Sequence, residues 1–499
     1  MTEVVRIKAL DGTLVEFENE VRASGGMKDV YFSPDRRTVV AFFRGQSDQA
    51  TRERIEVITG AYREKIFGQE GGDYLKGLFR WPTAMVEWNG RLGMVIPFYD
   101  TNYFFEHGSK NGDMLGIKGK EKDGKWFASA SNRARFLDAR ELGDWRTHLQ
   151  VCLLVSRAVR RMHAAGLAHS DLSYKNVLID PTSGRACLID IDGLVVPGKF
   201  PPEVVGTPDF IAPEVVATAN LDRSNPARKL PSRSTDQHAL AVLVYMYLFY
   251  RHPLRGDKIH DLDPMVDEEL AMGSKALWVE NPTDTSNRID PAKARTAELP
   301  WKDTTRIPHT VAGPYLSALF TRAFVQGLSD PTARPTADEW ETALVRTMDL
   351  LQPCRNPSCE QKWFVFDNTV EPKCPFCGTP FHGMLPVLNL YSSSVEGSFR
   401  PDDQRLMVYS GQSLFPWHAN RNLVPNEKLR AEFKKRVGYF LFHEDAWYLV
   451  NEALPELFDA KTKTPIPVGG RVELVDGGQI LLSKENGGRL VVVQLVHST

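Results

Sequence analysis

Three short runs, in fixed order between His169 and Glu214, restrict this chain more than any other feature. They are His169-Ser-Asp171-Leu-Ser-Tyr-Lys-Asn176, Leu188-Ile-Asp190-Ile-Asp-Gly193 and Gly206-Thr-Pro-Asp-Phe-Ile-Ala-Pro213-Glu214. Any one alone is weak, because Asp and Asn are ordinary turn residues after a helix. Their order and spacing carry the signal. Asp190 ends the apolar run Cys187-Leu-Ile, and two further markers lie downstream, Asp236-Gln-His-Ala-Leu-Ala-Val-Leu and Asp330-Pro-Thr-Ala-Arg334-Pro.

Around these runs the pattern changes along the chain. Val4 to Leu10 and Thr13 to Phe17 alternate as strands about Asp11-Gly12, a dipeptide suited to a two-residue hairpin turn. Short strands follow at Val30, Thr38 to Phe43, Ala84 to Trp88 and Leu92 to Ile96, with one helical stretch at about Thr51 to Phe67. From about Gly143 to Leu351 helical spacing dominates, for example Trp145 to Ala165 and Asp236 to Tyr250. Gly108 to Lys125, rich in Gly, Lys and Asp, reads as an exposed insertion. Residues 281 to 314, with five prolines, read as a long irregular loop. After Pro386 strand alternation returns with Asp-Gly-Gly and Asn-Gly-Gly turns.

At 499 residues the length suggests about three domains. The net charge of −2 offers no global basic field for nucleic acid. The longest apolar run, Ala239 to Tyr250, is shorter than the ~18 residues of a membrane span. The start lacks a basic region followed by an apolar one, so no secretory signal is read and a cytoplasmic location is expected.

The three runs and two markers together resemble the protein-kinase set of catalytic loop, metal-binding loop and activation-segment end, over roughly residues 15 to 350. The resemblance implies a bilobal α+β kinase fold and ATP-dependent transfer of the γ-phosphate to protein hydroxyls. Phosphoryl transfer is mostly positioning and charge neutralisation, so it needs a carboxylate beside the attacking hydroxyl and oxygen ligands for the metal. By resemblance Asp171 is the catalytic carboxylate, while Asn176 and Asp190 hold Mg²⁺ (or Mn²⁺). Asp192 is a rival to Asp190. His169 is expected to be a packed structural residue.

The nucleotide side departs from the common pattern. The third strand of such a sheet usually carries a Lys, but Val39-Val-Ala-Phe-Phe43-Arg44 places Phe43 there. Ser24-Gly-Gly-Met-Lys28 looks like the Gly-rich loop, with Lys28 where its last Gly belongs. That exchange resembles the with-no-lysine kinases. Lys28 is therefore the expected phosphate cation, Arg44 the next candidate, and Gly25 and Gly26 let the backbone approach the phosphates. The carboxylate partner of Lys28 is sought on the strand-lobe helix: Glu56 flanks the face set by Ile55, Ile58 and Tyr62, and Glu64 is the alternative.

Ser170 replaces the Arg that precedes the catalytic Asp in many kinases, and no Ser, Thr or Tyr lies between Asp192 and Gly206. Control by a phosphate in this loop is therefore not expected. Thr207 favours Ser/Thr substrates. Ser173 stands where such kinases usually have Lys.

Cys354-x4-Cys359-x14-Cys374-x2-Cys377-Gly378 places two tight pairs of thiols together, the pattern of a closed structural Zn²⁺ site. The last part of the tail resembles a forkhead-associated β sandwich, without an evident phosphothreonine-binding Arg; Gln412 is nearest to that place. The expected domains are an N-lobe at 1–97, a C-lobe at 98–350, a zinc ribbon at 351–385 and the small all-β sandwich at 386–499. This layout resembles bacterial Ser/Thr kinases of the tellurium-resistance-cluster type. That resemblance implies protein substrates and, as partners, a von Willebrand A-type protein and a metal-dependent phosphatase. Two other readings stay open: a pseudokinase scaffold that binds nucleotide, and a small-molecule phosphotransferase.

Overall fold

β1 (Val4–Lys8) and β2 (Leu14–Glu18) pair antiparallel about Asp11-Gly12, but the turn is longer than the expected two-residue one. The strand register ends at Lys8 and Leu14, Ala9 N donates to Thr13 O at 2.8 Å, and of the dipeptide only Gly12, at φ 87°, takes a positive φ. These positions belong to a computed structural model that describes residues 2–498 apart from 25–26, 46, 197–198, 201–205, 223, 368–371 and 396. The chain forms two units. The first comprises Met1–Gly143, Thr147–Arg306 and Leu319–Glu341; the second comprises Asp144–Arg146, Ile307–Ala318 and Thr342–Thr499.

In the first unit, β3 (Ala23–Ser24), β4 (Lys28–Phe32), β5 (Thr38–Phe43), β6 (Ala84–Trp88) and β7 (Arg91–Pro97) form an antiparallel sheet in the order β3-β4-β5-β7-β6. Alternation sorts its side chains onto two faces. One face, with Tyr31, Val40, Phe42, Val86 and Val95, is covered by Val15 and Phe17 of the hairpin. Phe17 meets Tyr31 and Trp88 edge-on, at centroid distances of 5.4 Å and 5.2 Å. Phe42 also needs Gly93 opposite, because a Cβ at that glycine would lie 2.5 Å from the ring. The other face, with Ala41, Phe43, Met85 and Met94, packs on Ile55 of α1 (Gln49–Val57). Asp48 caps this helix by accepting from Thr51 N at 2.8 Å, and a π turn at Ile58–Tyr62 carries it on to Phe67.

The helical part of this unit is built on α2 (Trp145–Ala164), from Thr147 onward, and on α3 (Arg233–Phe249). Most of α3, including the apolar run that opens at Ala239, is buried core. Among the described residues no helix is long and apolar enough to cross a membrane. Between the two helices, β8 (Val177–Asp180) and β9 (Arg185–Leu188) form a hairpin that pairs Val177 with Leu188.

Most residues from Gly108 to Lys125 are exposed, as expected, and a few buried side chains anchor the stretch. Ser109, Ile117 and Lys122 are buried there, and Lys122 Nζ pairs with Glu141 at 2.9 Å and Asp180 at 3.1 Å. Lys122 is the exception that composition does not announce, because the partners that neutralise it are remote in sequence. The proline-rich stretch 281–314 is irregular, broken only by short helical turns at Thr285–Asn287, Thr296–Glu298 and His309–Ala312 before a helix starts at Gly313.

The second unit holds a short hairpin, β10 (Leu351–Pro353) with β11 (Trp363–Val365), followed by two antiparallel sheets. Six strands have the order β13 (Ser398–Met407), β12 (Gly383–Val395), β21 (Arg489–Ser498), β20 (Gln479–Leu481), β17 (Phe458–Asp459) and β18 (Thr464–Pro465). Four have the order β14 (Ser413–Leu414), β15 (Gly438–His443), β16 (Ala446–Asn451) and β19 (Arg471–Glu473). Leu388, Leu390 and Val491 from the first sheet share one core with Phe440, Leu449 and Val472 from the second.

Removing a buried aromatic ring that no neighbour can replace leaves a cavity. Phe17→Ala should therefore destabilise the first unit by about 3–5 kcal/mol, measured by denaturant unfolding of wild type and variant followed by hydrogen exchange with mass spectrometry of the β1–β5 peptides.

Candidate active site

The loop from His169 to Asn176 is fixed from beneath by one carboxylate. Asp236, in the first turn of α3 and 2% exposed, accepts from His169 N at 2.7 Å and from Ser170 N at 3.3 Å. His163 Nε2 of α2 lies 3.1 Å from the same carboxylate. Ser170 adopts φ 66°, and the turn it makes presents Asp171. The two oxygens of Asp171 accept from different segments: Oδ1 from Thr207 N at 2.7 Å, Oδ2 from Asn176 Nδ2 at 3.0 Å. The Thr207 and Ser173 hydroxyls are 3.2 Å apart, and Ser173 is fully buried. Lys175 is exposed.

The β8–β9 hairpin sets Asn176 beside Asp190. Asn176 leads into β8, Asp190 follows β9, and Ile189 N donates to Asn176 O at 3.0 Å. His169 Nε2 lies 3.0 Å from Ile189 O, so this buried ring braces the approach to Asp190, the packing role read from its sequence. Asp190 itself has φ 59° and ψ 48°, a left-handed conformation that Asp tolerates better than most residues. A short 3₁₀ turn, Ile191–Gly193, follows it, with Ile191 buried.

Lys28, the first residue of β4, lies opposite Phe43 in the sheet register, with its ammonium 5.8 Å from the Phe43 ring centre. Its Nζ is 2.8 Å from both oxygens of Asp192 and 3.2 Å from Asp190 Oδ1. Burial favours neutral lysine, but the two carboxylates outweigh it and hold the ammonium above its ordinary pKa. Conversely, burial would raise the Asp190 pKa, and Lys28 pulls it below the usual carboxylate value.

The helix carboxylate differs from the sequence expectation. Glu56 is exposed on α1, as is Glu64 further along, and the carboxylates that meet Lys28 are Asp190 and Asp192. The inward positions on α1 are Arg54 and Ile55, which turns Glu56 outward. Arg54 lies over the Phe200 ring at 5.7 Å. Gly25 and Gly26 lie outside the described residues. Arg44 is engaged elsewhere: it pairs with Asp29 at 2.9 Å, and Arg91 holds the other Asp29 oxygen at 2.7 Å. Hydrogen bonds from Arg44, Ser24 and Arg91 keep Asp29 down at about 2. Asp29 is the neighbour of Lys28 on β4, so these side chains gather on the opposite sheet face.

Sequence reasoning did not find Asp192 as a partner of Lys28. The available signal was the Asp190-Ile191-Asp192 spacing, in which the buried Ile191 anchors a carboxylate on either side. At the far end of the site, Glu214 makes a two-pronged pair with buried Arg334, at 2.8 Å and 2.6 Å.

In the second unit, four sulfur atoms converge. Cys354, Cys359, Cys374 and Cys377 place Sγ within 4.8 Å of one another, with Cys354–Cys377 at 3.5 Å and Cys359–Cys374 at 3.9 Å. Gly378, at φ 76°, lets its N–H return to Cys374 O at 2.8 Å. His382 is exposed outside this group.

The family model of the protein kinase domain matches residues 130–340. Among curated proteins, the chain is similar to death-associated protein kinase dapk-1 of Caenorhabditis elegans, at 34% identity over 20% of this chain and 6% of that one. It is similar to the serine/threonine-protein kinase PknD of Chlamydia abortus, at 31% identity over 25% of this chain and 15% of that one. A dual serine/threonine and tyrosine protein kinase of Apis mellifera is 36% identical over 15% of this chain and 8% of its own length. The chain thus spans only 6%, 15% and 8% of the length of these relatives.

Asp236→Ala would leave two loop N–H groups without an acceptor. It should destabilise the unit by about 3 kcal/mol and raise amide exchange at His169 and Ser170, measured by hydrogen exchange with mass spectrometry.

Proposed function

We propose that the chain is an ATP-dependent protein serine/threonine kinase. The observation that carries this reading is the meeting of Asp171, Asn176, Asp190 and Lys28 around one hairpin and one loop; the first three lie within residues 130–340 matched by the kinase family model, and Lys28 reaches them from β4. A carboxylate has about four acceptor directions, and Asp171 uses one on Thr207 and one on Asn176. The remaining lone pairs orient a substrate hydroxyl and receive its proton. Asp190 and Asn176 offer hard oxygen donors suited to Mg²⁺ or Mn²⁺: the Asp190 side chain is 52% exposed, and Asn176 directs Nδ2 to Asp171, which leaves its Oδ1 for the metal. The metal, when bound, neutralises phosphate charge. Lys28 supplies the cation that Phe43 does not.

The pseudokinase reading draws on Phe43 and Ser170. Against it, Asp171, Asn176 and Asp190 are all present, and Lys28 already faces Asp190. The Glu214–Arg334 pair supports a protein kinase over a small-molecule phosphotransferase, because it braces the Ala-Pro-Glu segment that such enzymes usually lack. Residues 193–205 contain no hydroxyl side chain, so regulation acts elsewhere than by phosphorylation of that loop.

The four thiols are proposed to hold one structural Zn²⁺. Tetrahedral zinc with Zn–S of ~2.3 Å sets sulfurs about 3.8 Å apart, and the observed 3.5 Å and 3.9 Å fit that shell. Such a thiol cluster suits the reducing cytoplasm. The β region beyond it is proposed as a forkhead-associated-like interaction module. Phosphopeptide binding through Gln412 is not favoured, because that side chain is buried and accepts from Tyr409 N at 3.2 Å. A von Willebrand A-type protein and a metal-dependent phosphatase are partners that only the resemblance to tellurium-resistance-cluster kinases suggests.

Radiolabelled ATP with wild type and Asp171→Asn tests the kinase reading. Autophosphorylation kcat should fall about 10²–10⁴-fold with nucleotide affinity retained; unchanged turnover would sink the mechanism. Elemental analysis should find one zinc per chain, and Cys374→Ser should lose it and lower the melting temperature of the second unit while leaving kcat near wild type.

A further inference from the structure

We propose that Asp192, and not a glutamate of the strand-lobe helix, is the positioning residue that holds Lys28 for the nucleotide phosphates. The proposal rests on the kinase reading above and extends it to a residue with no assigned role there.

Lys28 Nζ contacts both oxygens of Asp192 at 2.8 Å, and only one of Asp190, at 3.2 Å. The two carboxylates differ in setting. The Asp192 side chain is 11% exposed and that of Asp190 is 52% exposed. Asp192 is thus the inner anchor, and Asp190 faces outward, where metal and phosphate arrive. An ammonium beside the Phe43 ring is costly without a partner. The helix supplies none: Glu53, Glu56 and Glu64 are exposed, and Arg54 takes the inward position.

Asp192 is held firmly enough to act this way. It sits in the 3₁₀ turn Ile191–Gly193, pinned by buried Ile191 and by the Ser170 hydroxyl, which donates to Gly193 O at 3.3 Å. Just beyond, Val195 exchanges two backbone hydrogen bonds with Ala168, at 2.9 Å and 3.1 Å. One turn therefore sets both the expected metal ligand Asp190 and the anchor of the phosphate cation. The placement of Lys28 then does not depend on where α1 sits.

The test uses the full-length protein, with initial rates over ATP and Mg²⁺ concentrations and a melting temperature for each variant. Asp192→Asn should raise KM for ATP about tenfold or more, and Glu56→Gln should stay within about twofold of wild type. Lys28→Ala/Asp192→Asn should be no worse than Lys28→Ala alone, since partners in one pair are not additive. Should Asp192→Asn melt below the assay temperature, Asp192→Glu keeps the charge and should retain more activity than Lys28→Ala. Multiplying losses in the double variant would overturn the assignment. So would a Glu56→Gln defect equal to that of Asp192→Asn. A shift in the Mg²⁺ requirement alone, with KM for ATP unchanged, would make Asp192 a metal ligand instead. Inactive wild type would overturn the kinase reading and this inference with it, whereas active wild type with indifferent Asp192→Asn overturns this inference alone.

Discussion

The hydrogen bonds that converge on Asp236 are the constraint on which the rest of the site depends. A carboxylate at 2% exposure is held by the N–H groups of His169 and Ser170 and by His163. Its place in the first turn of α3 adds the favourable end of the helix dipole. Because α3 is buried along most of its length, Asp236 is tied to the core rather than to a mobile loop. The next residue after the pinned pair is Asp171, and the His169 ring reaches across to Ile189 O, one residue before Asp190. Two loops that come from different parts of the hairpin are thus referenced to one buried charge.

Electrostatics on the strand side depends on alternation. Lys28 and Asp29 are neighbours on β4 and face opposite ways, so each gathers the opposite charge on its own side. Lys28 meets Asp190 and Asp192, and Asp29 meets Arg44 and Arg91. A register slip by one residue would exchange these faces and put Asp29 against two carboxylates. The hairpin strand β2 buries Val15 and Phe17 on the other face of the same sheet, which makes such a slip costly.

Much of this was legible in the residues. Asp11-Gly12 announced a hairpin but not its longer turn, the spacing from Asp171 to Asn176 and Asp190 announced residues that the fold brings together, and the cysteine spacing announced converging sulfurs. The helix partner of Lys28 was not legible. Apolar residues at Ile55 and Ile58 define a face only to within about a residue, and Arg54, a charged side chain, takes an inward place that no hydropathy pattern would assign. Buried Lys122, within a mostly exposed stretch, was not legible for the same reason: a buried ion pair is written in charged letters, and its partners Glu141 and Asp180 are far along the chain.

The second unit is assembled from three separate stretches, Asp144–Arg146, Ile307–Ala318 and Thr342–Thr499. Within it the Tyr315 hydroxyl donates to Asp403 O at 2.9 Å. During synthesis, Tyr315 leaves the ribosome well before Asp403 exists, so the segment around it waits as an unfinished seam while the first unit collects its helices. Cutting the chain at residue 350 would orphan that seam rather than release a clean domain. Expression of the first unit alone should therefore begin from the whole chain, with any trimming guided by these interleaved segments and not by a single boundary.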